Sequence, residues 1–195
     1  MEFFWYAFIP LFVAFDGVGL LPLYWALSHR LTPAARRQAV TEAVITAAIV
    51  AVAFLMVSPF IFSLMGLTVS DVMIAGGVIL IVLCLRELLL PEKPPKTEAA
   101  SPGVVPLGVP LLSGPAVLTT VILVRHDYGW QVTLAALAAN LAVIWLVLRG
   151  AERLMRWIGR EGSQVISKIS SLVLTAFGVM LIRHGVLMAL RQQGP

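Results

Sequence analysis

The stretch that decides the fold is Phe12-Val13-Ala14-Phe15-Asp16-Gly17-Val18-Gly19-Leu20-Leu21-Pro22. It interrupts a long apolar segment near its middle with a carboxylate, two glycines and a proline. A second apolar segment is interrupted in the same way at Val105-Pro106-Leu107-Gly108-Val109-Pro110-Leu111-Leu112-Ser113-Gly114-Pro115. Pro22 and Pro115 stand 93 positions apart, close to half of the 195 residues. Paired interruptions at matching places in two halves are typical of the central site of a secondary transporter.

The composition is that of an integral membrane protein. Hydrophobic residues make up 59% of the chain and charged residues 12%, whereas an ordinary soluble domain carries about 25% charged residues. The net charge of +4 does not indicate a nucleic-acid partner, because the basic residues lie between apolar segments. We expect the lipid bilayer as a partner and no separate soluble domain. Glu2 and the long first apolar segment are not typical of a cleavable signal peptide.

Six segments are apolar over roughly the 20 residues that a membrane-spanning helix requires, and they predict an all-α transmembrane fold. They cover residues 3–27, 40–67, 72–90, 103–124, 131–148 and 169–190. Pro59 is a candidate kink in the second span. Residues 151–160 place Leu154, Trp157 and Ile158 on one helical face, which predicts a short interfacial helix between the fifth and sixth spans.

Lysine and arginine residues are concentrated in every second connection. The first, third and fifth connections hold eleven of them, and the other three lie at the opposite ends of the spans. The positive-inside rule places these three connections in the cytoplasm, so we expect both termini outside the plasma (inner) membrane of a bacterium or archaeon.

Residues 91–102 are rich in proline and charge, which is typical of an extended linker. They divide the chain into units of three spans, 1–90 and 103–195, each with a broken first helix. An odd number of spans gives the units opposite orientations, and the sequence therefore predicts an inverted repeat. Ile74-Ala75-Gly76-Gly77-Val78 and Ile169-Ser170-Ser171-Leu172-Val173 place small residues in both third spans. Such residues allow close helix packing and permit a homodimer without demanding one.

Asp16 is the strongest candidate for a functional residue because it is the single charge in its 25-residue apolar span. Ionisable side chains at this depth usually face a cavity and take part in transport, and apolar surroundings favour the neutral form of a carboxyl group. Asp16 is therefore predicted to face a substrate ammonium or to carry a coupling proton. The alternative is a structural acceptor for N–H groups freed at Gly17, Gly19 and Pro22, and the two roles can coexist.

The second break predicts an anion site. Ser113 or Gly114 is the expected N-cap of a restarted helix, and Pro115 is its first residue. Unpaired N–H groups and the positive end of the helix dipole then lie near the midplane, where they suit a substrate carboxylate. Thr119 and Thr120 either add hydroxyl donors or bond back to their own helix.

Two further features each allow two interpretations. Pro110 follows Pro102 and Pro106 at intervals of four residues, and this series either frees carbonyls along a path or marks an irregular re-entrant segment. Asn140, inside the fifth span, either binds substrate or hydrogen-bonds two helices together.

The sequence contains no pattern typical of an enzyme or a metal site. The three histidines are scattered, Cys84 has no partner cysteine, and HExxH, GxSxG and P-loop motifs are absent. Such motifs supply the ligands and nucleophiles that the chemistry requires. We expect no catalytic residue, no metal and no cofactor.

At these residues the chain resembles the MarC family, whose members are described as neutral amino acid transporters of bacterial inner membranes. Three blocks carry the resemblance. The first, Asp16-Gly17-Val18-Gly19-Leu20-Leu21-Pro22, is similar to the family pattern Asp-Pro-x-Gly-x-x-Pro; the others are Ile74-Ala75-Gly76-Gly77-Val78-Ile79-Leu80 and the stretch from Val105 to Pro115. A looser block is Ile166-Ser167-Lys168-Ile169, followed by Gly178-Val179 and Gly185.

The resemblance implies six spans, both termini outside, and kinship to the lysine-exporter superfamily of small efflux carriers. Gly17 stands where the family commonly has proline, so the first break is expected to be more flexible here.

These features predict a secondary transporter that moves a small zwitterion, such as glycine or alanine, by alternating access. Both broken helices would meet near the midplane. The alternatives are a carrier of lipid or polyprenyl phosphate, a channel, and a membrane assembly factor that transports nothing.

Overall fold

A computed structural model of the chain describes residues 2–21, 24, 28, 31–89, 112 and 114–192. These residues form helices and turns and contain no strand. The helices are α1 (Glu2–Phe15), α2 (Pro33–Met65), α3 (Val69–Leu89), α4 (Pro115–Arg149) and α5 (Ala151–Gln192). The predicted all-α fold is confirmed for this part of the chain, and the predicted linker at 91–102 lies outside it.

Local sequence signals set the helix ends. The Thr32 hydroxyl accepts a hydrogen bond from the N–H of Ala35 at 3.3 Å and caps α2, and Pro33 follows at the first helical position. Gly66 ends α2 with a φ of 67°, a left-handed conformation that favours glycine. Pro59 lies inside α2.

Two of the long helices are divided by a glycine with left-handed φ. Gly129 (φ 80°) divides α4, and its two arms correspond to the end of the predicted fourth span and the whole of the fifth. Gly159 (φ 70°) divides α5 and separates the predicted short interfacial helix from the last long segment. The Trp157 side chain of that short helix is almost fully exposed, as expected of a residue at the lipid headgroups.

Within the described residues, four helical segments are long and apolar enough to cross a membrane. They are Pro33–Met65, Val69–Leu89, Pro115–Arg149 and Glu161–Arg191, and a shorter apolar helix covers Phe3–Phe15. The last segment begins at Glu161, eight residues before the predicted start at 169. The charges of Glu161 and Lys168 lower the local hydropathy and so shortened the predicted span, but they do not interrupt the helix.

Helix packing pairs the two halves of the chain. α3 packs along α5, whereas α1 and α2 pack against α4. Gly77 and Gly178 lie at the α3–α5 contact, where a Cβ atom built on Gly77 would approach the Gly178 carbonyl oxygen to 2.6 Å. Gly185 is likewise packed against α3, next to the Ser70 carbonyl. These glycines serve packing inside the chain, so they give no support to a homodimer.

Gly77→Ala is expected to destabilise the fold by about 1–3 kcal/mol, the usual effect of overpacking a tight contact, since its methyl group would meet backbone that cannot rotate away. Thermal unfolding of the purified protein in detergent measures the effect. Gly150→Ala is the matched control, because its Cβ would meet the nearest backbone oxygen at 3.4 Å. Equal unfolding temperatures for the two variants would contradict this account of the α3–α5 contact.

Polar and aromatic contacts assign the helix ends to two faces. Arg36, in the first connection, forms an ion pair with Glu152, in the fifth. The rings of Phe3 and Tyr6 instead lie beside Tyr128. These two groups of contacts lie at opposite ends of the arm formed by residues 130–149, which is about 30 Å long at 1.5 Å per residue. The first and fifth connections therefore share one face, and α1 begins at the other.

Candidate functional site

The first break is a tight turn closed by the Asp16 side chain. Asp16 adopts a φ of 44°, which aspartate tolerates better than most residues. Its Oδ1 atom accepts a hydrogen bond from the N–H of Gly19 at 3.1 Å. A Cβ on Gly19 would overlap the Asp16 carboxylate, so glycine is required there. Asp16 is therefore a structural acceptor at the helix break, which is one of its two predicted roles.

The Asp16 carboxylate also faces polar groups on α3 and α5. The Ser170 hydroxyl of α5 is a hydrogen-bond partner, and the charge of Glu87 on α3 acts on the same carboxylate. Gly17 is buried against Ile144 of α4, whose Cγ1 would lie 3.3 Å from a Cβ on the glycine. Among the described residues no basic side chain forms an ion pair with Asp16.

The second break opens on a cavity of about 410 Å³ between α2, α3 and the start of α4. Its polar lining includes the helix start at Gly114 and Pro115, the Thr119 side chain and Asp71. Gly114 has extended backbone (φ −68°, ψ 172°) and Pro115 is the first helical residue, which confirms the predicted restart of the helix. Gly114 offers no side-chain cap, and within the described residues no side chain caps the start of α4.

The two predicted threonines differ in role. The Thr120 hydroxyl donates to the Ala116 carbonyl oxygen of its own helix at 2.7 Å, which is the bonding-back alternative. Thr119 lies in the cavity lining and packs so closely on Gly76 that any Cβ there would overlap its hydroxyl. Of the two predicted threonines, Thr119 is therefore the one that lines the cavity.

Residues at the two breaks contact small-residue blocks on distant helices. Asp16, from the first break, meets Ser170 of α5, whereas Thr119, just after the second break, meets Gly76 of α3. Ser170 and Gly76 belong to the two small-residue blocks that the sequence paired. Asp16 and Asn140 are not among the residues that line the cavity, so the predicted site residues form two separate groups.

Asn140 connects two helices. Its side chain is fully buried, and its Nδ2 donates to the carbonyl oxygens of Phe8 on α1 (3.2 Å) and Ala136 (2.9 Å). Its Oδ1 has no partner among the described residues. One amide hydrogen thus joins α4 to α1 and the other bonds back within α4, which favours the structural interpretation of Asn140. Pro22, Pro110 and Ser113, also predicted to belong to the site, lie outside the described residues.

Sequence reasoning missed Asp71. It stands in the first turn of α3 and its Oδ2 accepts bonds from the N–H (2.8 Å) and hydroxyl (2.6 Å) of Thr68. The signal Thr68-Val69-Ser70-Asp71 is that of a capping box, so the sequence alone explains this carboxylate as a helix start. Only the packing of α3 beside α4 shows that Asp71 also borders a cavity.

A stripe of hydroxyl groups along α5 was also missed. Ser163, Ser167 and Ser171 are buried, and the Ser167 hydroxyl donates to the carboxylate of Glu87. The described residues contain no group of three or more His, Cys, Asp or Glu side chains that could hold a metal ion.

The sequence profile described as MarC family integral membrane protein matches residues 1–190. The chain belongs to the MarC family. It is thus a multi-pass membrane protein, in agreement with its long apolar helices, and the predicted family resemblance is confirmed. No solved structure matches the chain.

Curated relatives of this MarC family chain come from archaea and bacteria. A UPF0056 membrane protein of Pyrococcus abyssi is 26% identical over 186 residues, covering 92% of each chain. The UPF0056 membrane protein YhcE of Escherichia coli is 29% identical over 195 residues, covering 92% of this chain and 89% of the relative. The UPF0056 inner membrane protein YhgN of Escherichia coli is 25% identical over 188 residues, covering 93% of this chain and 95% of the relative.

Proposed function

We propose that this protein is a secondary transporter of the inner membrane that moves a small zwitterion, such as glycine or alanine, by alternating access. The observation that carries the proposal is the cavity in which the start of α4 at Gly114 and the carboxylate of Asp71 occur together. A zwitterion is the kind of ligand that matches one positive and one negative end. The inner-membrane location is supported by the printed name of the relative YhgN.

Recognition would use both ends of the cavity. The N–H groups and dipole of α4 beyond Gly114 attract a carboxylate, and Thr119 adds a hydroxyl donor. Asp71 is exposed and attracts an ammonium group. The remaining lining is apolar, with the small residues Ala75 and Gly76 on one wall and larger side chains such as Phe54 and Leu118 elsewhere, which suits a substrate whose side chain is uncharged.

Alternating access would follow from the inverted repeat. Its support is the contact of residues at each break with the opposite third span, together with the contact of α3 and α5 at Gly77 and Gly178. The Arg36–Glu152 face is proposed to be cytoplasmic, because it holds the excess of basic residues. The termini would then lie outside.

Asp16 is proposed as the coupling residue rather than as a substrate ligand. It lies at the first break and outside the cavity lining, and it has no basic partner among the described residues. A carboxylate in that setting is suited to take up and release a proton during the transport cycle.

Uptake of radiolabelled glycine and alanine by proteoliposomes tests the proposal. We expect saturable uptake that an inward proton gradient stimulates. Liposomes without protein and a collapsed gradient are the controls. Uptake that never saturates would indicate a channel, and no uptake of either amino acid by folded protein would contradict the proposal. Binding of polyprenyl phosphates in that case would favour the lipid-carrier alternative, and its absence would favour an assembly factor.

A further inference from the structure

A row of polar groups connects Asp16 with the exposed end of α3. Glu87, near the last turn of α3, is exposed, and it accepts a hydrogen bond from the buried Ser167 hydroxyl of α5. One helical turn further along α5, Ser170 is the hydrogen-bond partner of Asp16. Each carboxylate is thus hydrogen-bonded to one of two serines that stand one turn apart on α5.

We propose that Glu87, Ser167 and Ser170 form the cytoplasmic branch of a proton path that ends on Asp16. This inference rests on the proposed function and identifies how its coupling proton would reach the first break. Chains of carboxylates inside membrane proteins commonly mark proton relays. Neither Glu87 nor Asp16 forms an ion pair with a basic side chain among the described residues, so no such side chain competes with a proton for either carboxylate.

The hydrogen-bond pattern favours a proton over a metal cation. Both hydroxyls direct their hydrogen atoms at carboxylates, whereas a metal ion would need their oxygen lone pairs. The side chains of Ser167 and Ser170 stand three residues apart, and such positions on a helix face are about 5–6 Å apart at Cβ. One water molecule between the two hydroxyls would complete the path.

The transfer conserves protons at every step. A proton binds Glu87 from the cytoplasm, and the Ser167 hydroxyl turns toward Ser170 when the protonated carboxyl group becomes the donor. Each hydroxyl passes on its own hydrogen as it receives another, and Ser170 delivers one to Asp16. The net result is one O–H bond broken at Glu87 and one formed at Asp16, with both serines unchanged.

Within the part of the chain that the structure describes, one other titratable side chain faces these groups. The thiol of Cys84 on α3 interacts with Thr175 and with the charges of Glu87 and Asp16. From α1 the facing titratable group is Asp16 itself, and from α5 the described facing groups are hydroxyls. Cys84 lies one turn before Glu87 on α3, so Cys84→Ser separates a role of the thiol from a role of the carboxylate.

The test compares two assays on reconstituted Glu87→Gln protein. Gradient-driven accumulation of alanine needs a moving proton, whereas exchange of labelled for unlabelled alanine at equal concentrations does not. We expect Glu87→Gln and Ser170→Ala to lose accumulation while exchange continues, and Glu87→Asp to recover part of the accumulation. Glu42→Gln and Ser171→Ala are the matched controls, because Glu42 accepts a bond from Gln38 of its own helix and Ser171 donates to the Ser167 carbonyl.

Each other outcome overturns a defined statement. Normal accumulation in Glu87→Gln overturns the path alone, and loss of both assays assigns Glu87 to structure or substrate binding. If Cys84→Ser loses accumulation while Glu87→Gln accumulates alanine normally, the thiol takes the place of the Glu87 carboxylate in the proposed path. Absence of exchange in folded wild-type protein overturns the proposed function, and the path with it.

Discussion

Asp16→Asn is expected to reduce gradient-driven uptake about a hundredfold or more, the usual loss when a positioned proton-transfer group is removed. The fold should survive, because asparagine tolerates the left-handed φ of 44° and its amide oxygen can still accept the bond from the Gly19 N–H. The substitution therefore removes the titratable proton and keeps the cap of the helix break. Proteoliposome uptake with and without a proton gradient measures the effect.

Asp16→Leu is the companion variant. It removes the cap as well as the charge and should lower the unfolding temperature, whereas Asp16→Asn should not. Full gradient-driven uptake in Asp16→Asn would show that Asp16 acts only as the structural acceptor of the turn. The coupling role would then have to be abandoned, and the amino acid site at the second break would remain to be judged separately.

Ala75→Trp is expected to lower the apparent affinity for the transported amino acid about ten- to hundredfold. Ala75 lines the cavity and is exposed there, so an indole would occupy the space without entering the core. A ligand that must displace it faces about 1–3 kcal/mol of overpacking, which corresponds to that change in affinity. The concentration dependence of uptake provides the measurement.

Ala138→Trp is the matched control, because Ala138 is an exposed alanine of α4 outside the cavity lining. Both variants add the same side chain to an exposed helical position, so membrane insertion should be affected equally. If Ala75→Trp transports with the affinity of Ala138→Trp, the substrate does not pass through this cavity.

The helices were predictable because their signals are local. Apolar length identified the spans, Pro115 marked the restart of α4, and the spacing of Leu154, Trp157 and Ile158 marked the short helix that ends at Gly159. The extent of the breaks was less predictable. The predicted spans leave residues 125–130 as a connection, but the structure has helix on both sides of Gly129, because a single glycine with left-handed φ suffices to divide the helix.

The contacts between spans were not predictable in the same way. The sequence identified Asp16 as unusual, but nothing near it in the chain indicates that Ser170, more than 150 positions later, lies beside it. Ser167 belonged to a looser block of the family resemblance, but nothing in the sequence marked its hydroxyl as a partner of Glu87, since a hydroxyl that can bond within its own helix lowers hydropathy very little. Asp71 was overlooked because the capping box at the start of α3 already explained its carboxylate.

The close backbone contact between Gly77 and Gly178 has a mechanical consequence. The Ile81 and Ile182 side chains flank this contact, and the two backbones meet at the glycines, so a tilt of α3 on α5 turns about this point. Asp71 stands about 9 Å to one side of Gly77 and Glu87 about 15 Å to the other, at 1.5 Å per residue. Any tilt in the plane of the contact moves these two carboxylates in opposite directions, so widening the end at Asp71 narrows the end at Glu87.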